Sequence, residues 1–395
     1  MTWHFLKAID ERMEATWEEA FKESFRLLSS LNSAERRKGI AVDASNPTAP
    51  GAIRAARETQ TTLWLCEPKR LASVKEALKA NGNSLKTNGC LELADGDSFV
   101  FIATSGSTGE PKWVRHTWAG LFSAAKRLKG TPADASLYLS PLPLWHVSGL
   151  MPWVRAEVLG GTCQIIDSLQ GVGPRHAGSW ISLVPTQLFR LLESDANLSA
   201  WRALGGVFVG GSSLDDGLAE RARRAMLPLA PCYGMTETAA MVATLWPDQF
   251  LQGNPSCGSP LPGIAIQMDG SGLLSISGTG LMQGYEWQRP VSKVHTTDIG
   301  AWTHEQGLTL LGRSDRVIIS GGENISLQYV ENTCLQISGI HKALASSEID
   351  DEWGQRLILE VWLEDATLTP FRIMEKLRSS LPCYCVPKTL KVNLR

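Results

Sequence analysis

The stretch Thr104-Ser105-Gly106-Ser107-Thr108-Gly109-Glu110-Pro111-Lys112 constrains this chain more than any other. An apolar run, Ser98 to Ala103, leads into it, and a Trp- and Leu-bearing segment from Trp118 to Leu128 that reads as a helix follows it. Strand, small-residue loop, basic residue and helix is the layout of a phosphate cradle. Glycines let backbone N–H groups turn toward one point, hydroxyls add donors, and the lysine adds charge. The P-loop of NTPases is excluded, because there the second glycine is followed directly by Lys and a hydroxyl residue, whereas Gly109 is followed by Glu110-Pro111-Lys112. Taken alone, the stretch also reads as a flexible linker.

The rest of the chain decides between these readings. With 395 residues it is long enough for two or three domains with large cores. Its formal net charge of −2 argues against a nucleic-acid or anionic-membrane partner. Eight cysteines are scattered without a Cys-x-x-Cys pair; Cys383 and Cys385 suit neither a disulfide nor a zinc site, so the thiols read as reduced and the protein as cytoplasmic. Met1 to Leu28 is rich in Glu and Lys and does not read as a signal peptide, and no apolar run suggests a membrane span.

Along the chain, Leu6, Ile9, Met13, Trp17, Phe21, Phe25 and Leu28 recur at helical spacing and predict one packed helix face. Gly39–Asp43 and Thr61–Leu65 read as strands, and Lys69–Ala80 as a helix with Leu71, Val74 and Leu78 inward; the loop 81–93 carries no signal. Ser140–Gly149, with two prolines, reads as stiff and extended, and His146 within it, among apolar neighbours, as a packing residue. Trp180–Val184 is a strand before a helix carrying Leu188, Leu191 and Leu192. Val207–Val209 runs into a second small-residue corner, Gly210-Gly211-Ser212-Ser213, and then a helix through Arg224. Pro231–Thr238 follows, where Glu237 beside hydroxyls suits a hard cation, or Thr236 caps a helix with Glu237 in its first turn. Short strands and Gly turns from Ile264 to Leu311 predict a small antiparallel unit containing Asp298. Gly312–Arg316 reads as a boundary. Beyond it lie strand Arg316–Ser320, the pair Gly321-Gly322, helix Ser326–Ile337, strand Leu357–Leu363, helix Pro370–Leu381 and strand Thr389–Leu394. The expected fold is α/β: a large multi-sheet N-terminal domain over 1–312, layered α/β plus a small β unit, and a small α+β C-terminal domain over 313–395.

In order, Thr104–Lys112, Tyr233-Gly234-Met235-Thr236-Glu237, Asp298, and Gly312-Arg313 followed by Ser320-Gly321-Gly322 resemble the motif set of the adenylate-forming superfamily: acyl- and aryl-CoA ligases, luciferases and nonribosomal adenylation domains. Ser182–Leu188, Val209–Ser213, Gly258–Gly263, Leu281–Tyr285 and Ser320–Ile325 are most similar to o-succinylbenzoate–CoA ligases of menaquinone and phylloquinone biosynthesis. The resemblance implies two steps: ATP and a carboxylate give an acyl-adenylate and pyrophosphate; then the small domain rotates and the CoA thiolate displaces AMP. ATP, Mg²⁺ and CoA would be required, with a small aryl carboxylate as substrate; the oligomeric state stays open. Ligases for another aryl or acyl acid, or a degenerate adenylate-binding protein, share these motifs.

The resemblance also implies roles. Thr104, Ser105, Gly106, Ser107, Thr108, Gly109 and Lys112 would hold the β- and γ-phosphates. Thr236 would bind the α-phosphate and Glu237 the Mg²⁺. Gly210, Gly211, Ser212, Tyr233 and Gly234 would line the nucleotide site, Asp298 would accept from the ribose hydroxyls, and Arg313 would reach ribose or phosphate. Asp315 would be the hinge, Gly321 and Gly322 would edge the CoA tunnel, and His146 would match the gate between the ATP and acyl sites, against its reading as a packing residue. The second carboxylate needs a donor or cation, for which Gln187 and Ser212 are candidates. Two departures are Thr297, where the family often has Gly, and the absence of a Gly-Lys pair after Thr389–Leu394. Lys391 and Arg395 only faintly echo that pair, so the expectation is slow adenylation, adenylation that depends on another cation, or a shortened small domain.

Overall fold

The computed structural model describes residues 11–46, 48–80, 98–104, 112–135, 137–194, 198–286, 288–303, 307–363 and 368–394. Ser105, Gly106, Ser107, Thr108 and Gly109, Leu6, Ile9 and the loop 81–93 lie outside them. The chain packs as two compact units. The larger takes Met1–Leu214, Leu218–Ile266 and Ile276–Val294, and the smaller takes Asp215–Gly217, Gln267–Ser275 and His295–Arg395. The sequence division at 312/313 therefore falls inside the smaller unit.

The larger unit begins with α1 (Glu11–Ser29), α2 (Ser33–Lys38), β1 (Ile40–Asp43), α3 (Ala49–Glu58), β2 (Leu63–Cys66), α4 (Pro68–Ala80), β3 (Phe99–Ala103), β4 (Trp113–Thr117) and α5 (Trp118–Lys126). It continues with β5 (Leu137–Ser140), α6 (Val147–Leu159), β6 (Thr162–Ile165), β7 (Trp180–Leu183), α7 (Pro185–Glu193), α8 (Leu198–Arg202), β8 (Gly206–Val209), α9 (Asp216–Arg224), β9 (Leu229–Met235), β10 (Ala240–Thr244), α10 (Pro247–Leu251) and β11 (Ser259–Pro260). α9, whose first two residues belong to the smaller unit, and the strands β12 (Ile264–Met268) and β13 (Leu273–Gly278) are divided between the units, and β14 (Gly284–Tyr285) belongs to the larger.

Two sheets result, ordered β1-β2-β3-β4-β14 and β11-β10-β9-β8-β7-β5-β6. One apolar core joins Val100 and Ile102 of the first sheet, Leu121 of α5, Met151 and Trp153 of α6, and Tyr138 and Phe208 of the second, so α5 and α6 lie between the sheets. The alternate residues Phe99 and Phe101 turn the other way, onto Leu71, Val74 and Leu78 of α4. The opposite face of the second sheet packs Leu188 and Leu191 of α7 and Ala222 of α9. Near-continuous apolar runs such as Gly206–Val209 are what strands covered on both faces require. Phe25, expected on the packed face of α1, is 38% exposed, while Leu28 is buried. Ser140–Gly149 is extended only as far as β5; a turn follows and α6 starts at Val147. Gly149 is required there, because a Cβ would stand 2.1 Å from the Pro143 carbonyl oxygen.

The smaller unit contains β15 (Lys293–Thr303), most of which lies past His295, β16 (Gly307–Arg313), β17 (Val317–Ser320), β18 (Glu323–Ser326), α11 (Leu327–Leu335), β19 (Ile340–Asp350), β20 (Gly354–Leu363), α12 (Pro370–Ser380) and β21 (Thr389–Leu394). β15 and β16 pair antiparallel, as the Gly-punctuated alternation predicts. β18 and β19 were not legible in the sequence. They complete a sheet ordered β18-β17-β20-β19, with β21 parallel to β20. Among the described residues no helix is long and apolar enough to cross a membrane, and the described cysteines are all free thiols.

Candidate active site

β4 is the strand from which the site is assembled. Thr104 N–H donates to the Lys112 carbonyl at 2.9 Å, and Ala103 stands opposite Trp113 in an antiparallel pair. The segment 105–111 therefore joins two strands. The strand–loop–helix layout read from the sequence is corrected: β4 intervenes, and α5 begins only at Trp118, so its N-terminus does not directly follow the loop. β4 was missed because Arg115 and His116 look like solvent residues, yet both are completely buried.

Strand alternation sends these neighbours to opposite faces. Arg115 stands opposite Phe101, and its guanidinium lies 5.1 Å from the Phe99 ring centroid. It donates at 2.8 Å to each of the Glu286, Gln283 and Gln288 carbonyls. His116 stands opposite Val100 and meets the Thr236 carbonyl at 2.8 Å through Nε2. A carbonyl only accepts, so Nε2 carries the proton. Burial, with the Arg127 charge adding to it, pulls the His116 pKa down to about 4 despite the Thr236 bond, and the ring is neutral. Arg127, at the end of α5, donates to the carbonyls of Thr238 at 2.9 Å and Met241 at 3.1 Å, and to that of Thr279.

These three basic side chains fix the backbone around Glu237. Thr236–Thr238 is a short 3-10 turn at the end of β9. Its N-cap is Met235, not Thr236, and the Thr238 hydroxyl accepts from the Met235 N–H at 3.0 Å; the capping role read for Thr236 is thereby corrected. The Glu237 carbonyl accepts from Met282 N–H at 2.8 Å, and its carboxylate Oε1 accepts from the Tyr285 hydroxyl at 2.8 Å. Burial, and then the Glu237 carboxylate, push the Tyr285 phenol well above its ordinary value. Lys112 Nζ lies 5.5 Å from the Tyr285 ring centroid. Lys112, Thr236 and Glu237 thus belong to one region, with Tyr285 between two of them.

Other expected residues serve differently. His146 is exposed at the N-cap of α6 rather than packed among apolar groups; partial burial still lowers its pKa, against the raising effect of Glu67. Gly234 is a packing glycine, since a Cβ there would meet the Ala240 carbonyl oxygen at 2.1 Å, and Tyr233 is buried. A Cβ on Gly210 would meet Cys232 Sγ at 2.8 Å, Gly211 holds φ +85°, and Ser212 is exposed. Gln187 is engaged locally: its Oε1 accepts from Val184 N–H at 3.1 Å at the start of α7.

The sequence reading missed Arg155. It projects from α6 and is 3% exposed, with its guanidinium 5.5 Å from the Phe208 ring centroid. Among the described residues no carboxylate pairs with it. Burial lowers its pKa, opposed by Tyr138, Cys232 and Cys163. A lone arginine four residues after Met151, on the apolar side of a helix, was the available signal.

In the smaller unit, Asp298 of β15 stands opposite Arg313 of β16, and their closest side-chain atoms are 3.5 Å apart. Arg313 also grips Asp315 through two bonds of 2.9 and 2.7 Å, which hold the Asp315 carboxyl below its ordinary range. Gly321 and Gly322, both at positive φ, form the two-residue connection between β17 and β18. A Cβ on Gly321 would meet the Trp353 ring at 2.8 Å, whereas Gly322 faces open space.

Residues 26–286 match the family model described as AMP-binding enzyme. The 2-succinylbenzoate–CoA ligase of Staphylococcus aureus strain MSSA476 is 30% identical over 320 residues, covering 76% of this chain; the chain spans 64% of that ligase's length. Two solved structures of the Bacillus subtilis o-succinylbenzoate CoA synthetase share the fold. The complex with its acyl-adenylate intermediate superposes with a TM-score of 0.78 at 22% identity, covering 98% of this chain and 90% of that one. The complex with ATP and magnesium gives 0.66 at 23% identity, covering 94% and 78%.

Proposed function

This chain belongs to the family of AMP-binding enzymes, and from that premise we propose that it joins a carboxylic acid to coenzyme A through an acyl-adenylate, with o-succinylbenzoate as the acid. A carboxylate oxygen of the acid attacks the α-phosphorus of ATP and pyrophosphate leaves. The CoA thiolate then attacks the acyl carbon and AMP leaves. The chemistry asks the protein for positioning and charge. Lys112 meets the negative charge of the departing pyrophosphate, with Thr104 to Gly109 beside it. Thr236 holds the α-phosphate, Asp298 accepts from the ribose hydroxyls, and Arg313 donates to the nucleotide. Gly210, Gly211, Ser212, Tyr233 and Gly234 border the nucleotide, and His146 stands at the gate toward the acid. Residues 313–395 turn about Asp315 for the second step, with Gly321 and Gly322 beside the pantetheine arm. The protein works in the cytoplasm.

The observation that carries this reading is Glu237. Its carboxylate has no basic partner among the described residues, its backbone is pinned by Met282, and a phenol orients it near Lys112. One oxygen-donor carboxylate, without a cluster of further acidic, His or Cys ligands among the described residues, suits Mg²⁺ arriving on ATP rather than a protein-made cage. Bound by Glu237, Mg²⁺ would neutralise phosphate charge. The choice of a diacid is supported by Arg155, a buried guanidinium without an acid partner among the described residues. Its neighbour Cys232 supplies the sulfur that fills the space beside Gly210. An apolar pocket takes a second carboxylate only where such a cation repays its desolvation.

The test is release of pyrophosphate and AMP with o-succinylbenzoate. Release that requires Mg²⁺, with thioester on adding CoA, is expected; ADP in place of AMP would sink the reading. Arg155→Met should raise KM for o-succinylbenzoate by about 10-fold or more, from loss of a charge-assisted bond, and change KM for a monocarboxylic benzoate little. Equal effects on both acids would remove Arg155 from the substrate site.

A further inference from the structure

Glu237 and Lys112 carry opposite charges in one region, yet among the described residues neither makes an ion pair. Tyr285 lies between them. Its hydroxyl bonds the Glu237 carboxylate at 2.8 Å, and the Lys112 ammonium lies 5.5 Å from its ring centroid. Both charged side chains have several rotatable bonds, so without an intervening group Coulomb attraction would favour a salt bridge between them. Such a bridge would spend on each other the charges needed for metal and phosphate.

We propose that Tyr285 is a positioning residue that aims the Glu237 carboxylate at the metal and holds it apart from Lys112. This rests on Glu237 being the metal ligand. The tyrosine is itself fixed. It stands opposite Val114 in the antiparallel pair of β14 with β4, and Gly284 stands opposite Arg115. Gln283 N–H donates to the Arg115 carbonyl at 2.7 Å, and Glu286 N–H to that of Trp113 at 2.7 Å. The Arg115 side chain then bonds the carbonyls of Gln283, Glu286 and Gln288, on both sides of the tyrosine. Lys112 immediately precedes β4, so one strand sets both the lysine and the ring it faces. The ring thus has a task on each side, a hydrogen bond at its edge and a cation over its face.

Two variants separate those tasks. Tyr285→Phe keeps the spacer and loses the hydroxyl; Tyr285→Leu loses both. Mn²⁺ binding in the presence of a non-hydrolysable ATP analogue, followed by the electron paramagnetic resonance of free Mn²⁺, reads the site without turnover. Tyr285→Phe should weaken Mn²⁺ binding by about 10-fold, the usual scale for removing a group that orients a metal ligand. In turnover, the Mg²⁺ requirement should rise by more than kcat falls. Tyr285→Leu should be weaker again. Adding Lys112→Met to Tyr285→Leu, with the ATP analogue raised to saturation to offset the lost phosphate contact, should recover Mn²⁺ affinity to the Tyr285→Phe level, because the competing ammonium is gone.

A purely structural ring would instead lower Tm in Tyr285→Leu and leave Mn²⁺ affinity in Tyr285→Phe equal to the parent, which overturns the proposal. Failure of Lys112→Met to recover any affinity overturns the spacer role. Glu237→Gln run in parallel separates the levels. If it binds Mn²⁺ as the parent does, the metal role of Glu237 falls and the proposal with it. If it loses Mn²⁺ while Tyr285→Phe does not, only the positioning role falls.

Discussion

Glu237 in the larger unit and Asp298 in the smaller one are carboxylates proposed to serve the metal and the ribose of one nucleotide, yet they are held by different means. Around Glu237, completely buried Arg115 and His116 and nearly buried Arg127 bond backbone carbonyls, so these basic groups set the path of the chain rather than neutralising acids. Around Asp298 the cation is Arg313, whose side chain is 47% exposed and is shared between Asp298 across the hairpin and Asp315 two residues on. A buried guanidinium has no water to turn to, so its bonds to carbonyls fix geometry. Asp298 itself is only 13% exposed, but an ion pair whose cation reaches solvent exchanges with water at little cost and remains adaptable. The first arrangement suits a site that must be preformed, the second one that must change partners when a ligand arrives.

The largest test of this contrast is stability. Arg115→Met strips three carbonyls of charge-assisted donors and should lower the unfolding free energy by about 3 kcal/mol or more, measured by urea unfolding. Arg127→Met should act similarly, since it also serves three carbonyls. A loss below about 1 kcal/mol in both would mean that water replaces the guanidinium, and the contrast would collapse.

The strands before Thr104 and around Gly206 were legible in the sequence because continuous apolar runs have few alternative uses. Thr236-Glu237 and Asp298 were legible as motifs. The frame behind them was not: the acceptors of Arg115 are main-chain carbonyls roughly 170 positions away, which no local pattern encodes. β19 was missed for a different reason. Of its eleven residues only Ile340 and Ala345 are buried, so its period-two signal is faint and its pairing with β20 supplies the order. Arg155 was passed over because its segment was not read as a helix, and its burial follows from α6 lying between two sheets.

Acid should distinguish the regions next. His116 has a folded-state pKa of about 4, below the 6.5 of the free side chain. The unfolded chain then takes the proton more readily. The stability tied to neutral His116 is complete above about pH 6.5 and drains as pH falls toward about 4. Asp315 is depressed from 3.8, so its contribution is present above that value and is lost only as pH falls further, through its folded pKa. His116→Gln keeps an N–H donor without a titrating ring and should flatten stability between about pH 6.5 and 4, whereas Asp315→Asn should leave that window unchanged. An unaltered acid limb in His116→Gln would show that another group titrates there.

The smallest stability effect should come from Arg313, and it sharpens the comparison most. Arg313→Met should change unfolding free energy by less than about 1 kcal/mol, because pairs whose guanidinium is half exposed contribute little and less still at high salt. The same variant should raise KM for ATP by about 10-fold or more, which is what losing one charge-assisted bond to the nucleotide implies. Arg115→Met reverses that ratio, with a large loss of stability and any change in ATP affinity following from it. If Arg313→Met instead destabilises the chain as much as Arg115→Met does, the Asp298 carboxylate is held by a rigid frame like that of Glu237, and the adaptable role assigned to the Arg313 network is wrong.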